Sequence, residues 1–335
     1  MKKRALATTT ILILIIVNAF GEKSSVASEP VLQKIHVEKP VMGTLFQITT
    51  YAVNAEKARI VIDAAFAKAE EIEQIASDYR SDSELNKLCR AQHKEAQKIS
   101  PIFLDLLLWA KKIAVSTNGA YDPTLGPLTK LWRETRETKK LPDAVTLADA
   151  KARCGYKNLI LDDVNSTATL KIPRMQLDLG GIAKGYTADA MFDLVCAAGF
   201  PQTMVAAGGD IRLGDPPPKR EGWNVGLRTT KQGLDEVITL KNCAISTSGD
   251  LHQWVEIEGT RYAHIIDPKT GIGLTTSASA SVISPIATQT DPLATAACLL
   301  PDPEEYFGAI IGTSVRLLRP DHAPILSGLF RKEKR

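Results

Sequence analysis

Residues 177–186 read Leu177-Asp178-Leu179-Gly180-Gly181-Ile182-Ala183-Lys184-Gly185-Tyr186, an apolar alternation, a pair of glycines and then a helical pattern with a lysine in its first turn. Met175 to Leu179 reads as a strand and residues 182 to 198 as a helix. Glycine lets a ligand approach the backbone, a helix start favours anions, and Lys184 adds positive charge, so a pyrophosphate fits this turn. The spacing is neither the Gly-Lys-Ser/Thr phosphate loop nor G-x-G-x-x-G. Standing alone, the same residues also describe an ordinary strand-to-helix turn with a solvated lysine.

Upstream, Val41 to Thr49 reads as a strand entered through Gly43. Residues 55 to 76 carry Ile60, Ile62, Ala65, Ala69, Ile72 and Ile75 at helical spacing, and Phe103 to Val115 fits a second helix stopped near Asn118-Gly119. Thr146 to Cys154 reads as a short helix capped by Thr146, and residues 159–162 and 169–172 as a hairpin. Downstream, strands fit 203–207, 223–228, 236–240, 243–247, 253–257, 262–266 and 279–284, before a helix from Asp291. Runs of strands with a few long helices, and no regular βαβ alternation, predict an α+β fold.

Several segments carry candidate chemistry. In Asp291-Pro292-Leu293-Ala294-Thr295 the pattern predicts a helix start, with Asp291 as cap and Pro292 at the first position. Thr295 then lies one turn on, and the two oxygens suit a hard divalent cation; a capped helix with an inert threonine fits the local sequence equally. His264 ends a strand before Asp267-Pro268, and imidazole is the natural base near neutral pH, with Asp267 or Asp250 as candidates to orient it. Tyr79 sits in a polar loop where it can stack on a flat ring, and residues 118–128 form a second irregular loop around Asp122. Gly208-Gly209-Asp210 and Ser248-Gly249-Asp250 repeat the theme of small residues and carboxylates at strand ends. Three such turns point to one extended, phosphate-bearing ligand.

The chain of 335 residues has 41 Lys and Arg against 38 Asp and Glu, a net charge of +3. Lys2, Lys3 and Arg4 precede the apolar run Ile11 to Val17 and the small-residue segment around Ala19 to Gly21, the pattern of a secretory signal spanning residues 1–21. The apolar run is short for a membrane span, so the mature chain is expected to be periplasmic or otherwise extracytoplasmic, and residues 22–335 are long enough for one large or two moderate domains. Its near-neutral charge argues against nucleic-acid binding. The cysteines at 89, 154, 196, 243 and 298 show neither C-x-x-C nor zinc-ligand spacing.

Taken in order, Met42-Gly43-Thr44, Tyr79 to Leu85, Gly119 to Asp122 with Gly126-Pro127-Leu128, Asp178 to Gly185, Gly208-Gly209-Asp210, Thr247 to Asp250, His264 to Gly271 and Asp291 to Ala296 resemble the ApbE family, the FAD:protein FMN transferases. The resemblance spans about residues 36 to 312. It implies an α+β sandwich related to the tunnelling fold, two lobes with a flavin cleft between them. It further implies FAD contacts from Met42, Tyr79, Ala120, Tyr121, Asp122, Asp178, Lys184 and the backbone near Ile265, and Mg²⁺ ligation by Asp291, Thr295 and the carbonyl of Gly181. The implied reaction is Mg²⁺-dependent transfer of FMN from FAD to a threonine or serine of an exported flavoprotein, releasing AMP; the residues' own chemistry offers His264 as the base. Those targets would bring the protein near a membrane. A Mg²⁺-dependent FAD pyrophosphatase and a non-catalytic periplasmic FAD-binding protein are the alternatives.

Overall fold

The computed structural model describes residues 31–227, 236–250, 253–307, 310, 312–320 and 322–331. The signal-peptide expectation on residues 1–21 lies outside them. Among the described residues no helix is long and apolar enough to cross a membrane.

In chain order the elements are β1 (Gln33–Val41), β2 (Thr44–Ala52), α1 (Ala55–Ala76), α2 (Glu84–Arg90), β3 (Gln97–Lys98), α3 (Pro101–Ser116), α4 (Gly126–Thr138), α5 (Ala144–Ala152), β4 (Leu159–Asp162) and β5 (Thr167–Leu170). There follow α6 (Ala183–Ala197), β6 (Thr203–Ala207), β7 (Asp210–Leu213), β8 (Trp223–Leu227), β9 (Glu236–Leu240), β10 (Cys243–Gly249), β11 (Trp254–Ile257) and β12 (Thr260–Ala263). The last are β13 (Ser279–Ser284), α7 (Ala287–Leu299), α8 (Pro303–Phe307), β14 (Ser314–Leu318) and β15 (Ile325–Leu326).

An antiparallel sheet of eight strands, in the order β1-β2-β6-β7-β10-β13-β14-β15, organises the chain. Because side chains alternate across a strand, the central strands present residues to both faces of the sheet. Val205 and Ala244 face α1 and α6, where Ile62, Phe66, Ala188 and Met191 pack. Ile211, Leu213, Ile245 and Ile283 face the opposite way, under the β8–β9 ribbon and its Trp223 and Val225. Both faces are thereby covered, giving the mixed helix-and-sheet sandwich expected. A further cluster joins Leu128 and Trp132 of α4 to Val255, Ile257 and Tyr262 of the β11–β12 ribbon.

Several local expectations are corrected. Gly43 does not open a single strand: with Met42 (φ 51°) and Gly43 (φ 69°) both left-handed, the pair is the tight turn of the β1–β2 hairpin. Met175 to Leu179 forms no strand and joins no sheet; its Asp178 N–H donates to the Pro123 carbonyl at 2.9 Å. The short helix begins at Ala144 and is capped by Asp143, whose Oδ1 accepts from the Val145 and Thr146 amides at 2.9 Å, so Thr146 lies inside it. Residues 118–128 are not wholly irregular, since α4 starts at Gly126. Helix α7 starts at Ala287, not at Asp291. Asp189 of α6 accepts from the Ala287 and Thr288 amides at 2.9 and 2.7 Å, supplying from another helix the cap that the local sequence lacks. Pro292 is therefore interior, and Asp291 projects sideways toward α6 rather than over the helix end.

Candidate active site

A cleft of about 870 Å³ is bordered by the β1–β2 turn, the loops before α2 and α4, the start of α6, the β6–β7 turn, β10, the segment after β12, and α7. Met42, Tyr79, Ala120, Tyr121, Asp122, Asp178, Gly181, Lys184, His264, Ile265, Asp291 and Thr295 all line it. Residues distant in sequence meet here because α6 and α7 lie side by side across the sheet.

Their approach depends on Gly185. A Cβ at that position would lie 2.2 Å from the Ala287 carbonyl oxygen, so only glycine lets the two helices pack this closely. In return, the Gly185 N–H donates to Asp291 Oδ2 at 3.2 Å, fixing the carboxylate. The Lys184 ammonium lies 3.0 and 3.1 Å from the Asp291 oxygens, 2.9 Å from Asp210 Oδ2, and 3.4 Å from the Gly180 carbonyl. The Asp210 contact is an ion pair rather than an aligned hydrogen bond. Burial, added to the charge of Asp210, raises the Asp291 pKa to about 6 against the opposing pull of Lys184. Burial works against the charge of Lys184, but Asp210 and Asp291 outweigh it and hold the ammonium above the ordinary lysine range.

Next to this corner, the Thr295 and Ser248 hydroxyls lie 3.1 Å apart. The Tyr121 hydroxyl is buried without a hydrogen-bond partner among the described residues. Burial, reinforced by Asp291, Asp178 and Asp122, keeps this phenol protonated well beyond its usual range. An unpaired buried donor costs about 1–3 kcal/mol unless a partner is supplied.

Asp122 is spent on its own loop: Oδ1 accepts from the Thr124 amide and hydroxyl at 2.8 and 2.6 Å, and Oδ2 from the Tyr156 amide at 2.9 Å. Asp178 accepts from the Gly180 amide at 2.8 Å and closes the double-glycine turn. At the other end of the cleft Tyr79 is 78% exposed, with one face covered by the Arg133 guanidinium 4.2 Å from its centroid. Arg133 is held by Asp78 at 2.6 Å and by Asp178 at 3.5 Å. The open side of the ring is a stacking platform.

His264 follows β12 directly. Its Nδ1 lies 3.2 Å from the Gln253 carbonyl, which also accepts the His264 amide at 3.0 Å. A carbonyl only accepts, so Nδ1 carries the proton and Nε2 keeps its lone pair. Burial lowers the His264 pKa; the Gln253 contact partly opposes this, while Arg136 and Lys184 add to it. Neither aspartate orients the ring: Asp267 accepts from the Lys269 amide at 2.8 Å, and Asp250 from the Ser277 hydroxyl at 2.7 Å while pairing with Arg261 at 3.1 Å. The Ile265 carbonyl accepts from Leu274 at 2.9 Å. Arg133, Asp78, Gln253 and Ser248 are lining residues that sequence reasoning did not single out as site residues.

The family model for ApbE matches residues 42–308. The chain belongs to the ApbE family. Curated ApbE relatives named FAD:protein FMN transferase include one from Treponema pallidum (strain Nichols), 33% identical over 283 residues that cover 78% of this chain and 77% of the relative. Another, from Vibrio cholerae serotype O1, is 31% identical over 250 residues, 71% of this chain and 73% of the relative. Among solved structures, the flavin transferase ApbE from Vibrio cholerae matches with a TM-score of 0.80 at 28% identity, covering 90% of this chain and 99% of that one. The ApbE protein from Thermotoga maritima gives the same TM-score, 0.80, at 28% identity over 90% and 100% of the two chains. The fold is that of the ApbE flavin transferases, and the protein is an enzyme of the transferase class.

Proposed function

We propose that this protein transfers FMN from FAD to the hydroxyl of a threonine or serine on a target flavoprotein, with Mg²⁺ as cofactor and AMP as the second product. The observation that carries the reading is the convergence in one cleft of an oxygen-lined corner, a half-buried lysine ammonium and an imidazole whose Nε2 is not the protonated nitrogen. Asp291, Thr295 and the Gly181 carbonyl would hold the cation. This donor set is oxygen throughout, as a hard cation requires. Among the described residues no group of three or more His, Cys, Asp or Glu is placed to hold a metal ion, so an ion at this corner would need water or ligand oxygens to complete its shell. When bound, Mg²⁺ neutralises diphosphate charge.

The chain's own groups do the rest. Lys184 pairs with phosphate oxygens, the Tyr121 hydroxyl donates to one of them, and Tyr79 backed by Arg133 stacks a planar ring of the dinucleotide. His264 Nε2 takes the proton of the acceptor hydroxyl. That oxygen bonds to the phosphorus of the FMN half, the bond from this phosphorus to the bridging oxygen breaks, and AMP leaves with the bridging oxygen.

Incubation with FAD, Mg²⁺ and a candidate acceptor, followed by intact-protein mass spectrometry, tests the reading. An FMN increment on the acceptor, lost with Asp291→Asn, is expected. Free FMN and AMP without an increment would establish a pyrophosphatase, and unchanged FAD a binding protein. The amino-terminal pattern supports export, so the targets are exported flavoproteins, some held close to the membrane. A mature chain beginning near Glu22, read by amino-terminal sequencing, checks this.

A further inference from the structure

We propose that Asp210 is a positioning residue that draws the Lys184 ammonium away from Asp291 and so leaves Asp291 open to a divalent cation. This rests on the proposed metal corner. Asp210 and Asp291 are 4% and 3% exposed, and the single ammonium between them lies within 3.1 Å of both. Two buried carboxylates sharing one ammonium leave the corner one positive charge short.

The supports of the three groups differ. Asp210 opens β7 and is fixed by the sheet, paired in register with Ala207 on one side and Ser246 on the other. Asp291 is fixed by the Gly185 amide. Lys184 reaches them on a flexible four-carbon stem. The ammonium can therefore leave Asp291 and stay on Asp210 while neither carboxylate moves. Without the Asp210 charge, Lys184 and Asp291 form a closed one-to-one pair, and an arriving cation has to break it.

The test titrates the full chain with Mn²⁺ alone, without FAD, reading free Mn²⁺ by electron paramagnetic resonance. Asp210→Asn should weaken binding by about 10–100-fold, the usual range for residues behind a metal ligand. Lys184→Met should bind Mn²⁺ at least as tightly as the wild type, and the double variant should recover the affinity lost in Asp210→Asn. A merely structural role for Asp210 would not be rescued by removing the lysine. Unchanged binding in Asp210→Asn, or no recovery in the double variant, overturns the inference while leaving the metal corner standing. Failure of the wild type to bind Mn²⁺ overturns both. Urea midpoints establish that each variant is folded; if Asp210→Asn is not, Lys184→Met alone decides, and weaker binding by that variant refutes the proposal.

Discussion

Replacing Gly185 with alanine probes how closely α6 and α7 must approach to build the corner. The new Cβ would lie 2.2 Å from the Ala287 carbonyl oxygen, 2.7 Å from its carbon and 3.0 Å from Asp291 Cβ, against an ordinary contact of at least 3.4 Å. The nearest atoms are backbone and cannot rotate away, so the helices must part by roughly 1 Å. Overpacking of this kind costs about 1–3 kcal/mol, and the helix preference of alanine over glycine returns about 0.5–1 kcal/mol. The net loss is about 0–2.5 kcal/mol, and a value near the middle of that range, about 1 kcal/mol, multiplies the unfolding constant by roughly 5. Urea denaturation should show a lower midpoint at unchanged slope. Separation also stretches the 3.2 Å contact from Gly185 to Asp291, so transfer should fall by about 10²-fold, the usual penalty for a misplacement of this size. Gly181→Ala is the control: its Cβ would meet Tyr121 at 3.4 Å, an ordinary contact, and stability should stay within about 0.5 kcal/mol. Equal stability of the two variants would refute the packing argument.

His264→Gln should lower transfer by about 10²–10⁴-fold at neutral pH while FAD binding persists. Because burial lowers the His264 pKa, Nε2 stays unprotonated below the ordinary value of about 6.5. The rate should therefore fall only as pH drops through that lowered value, and the stability this neutral histidine contributes is lost in the same direction; a pH profile of kcat and acid denaturation read the two effects. Arg133→Met removes the support of the Tyr79 ring, a contribution of about 0.5–1 kcal/mol, and should raise KM for FAD about two- to fivefold. Asp122→Asn places an amide against the donors of Thr124 or Tyr156, and one unpaired donor should lower stability by about 1–3 kcal/mol, measured by urea midpoint.

Much of the frame was legible because the signals were local. The helical pattern from Ile60 to Ile75 belongs to α1, where Ile62, Ala65, Ala69 and Ile72 are buried, Ile75 is half-buried and Ile60 faces out, and the left-handed Asn118-Gly119 pair does end α3. What the sequence misplaced was decided by partners far along the chain. Asp291-Pro292 carries every local mark of a helix start, yet Asp189, 98 residues before Ala287, caps α7 a turn earlier. Met175 to Leu179 alternates like a strand, but its neighbour is the Pro123 loop and not a sheet. Helix α4 was masked by its Gly-Pro opening, although Leu128, Trp132 and Thr135 form a buried stripe at helical spacing. Arg133 lies on that helix, outside every site motif. The site motifs marked the residues that meet in the cleft, but the sharing of one lysine by Asp210 and Asp291 is a product of the packing of α6 and α7 on the sheet.

The most direct measurement is a crystal structure with FAD and Mg²⁺ or Mn²⁺, the latter located by anomalous scattering. The diphosphate should lie at the start of α6 with the ion on Asp291 and Thr295, and Lys184 should touch both a phosphate oxygen and Asp210. An ion bound elsewhere, or a diphosphate distant from Lys184, would contradict the account.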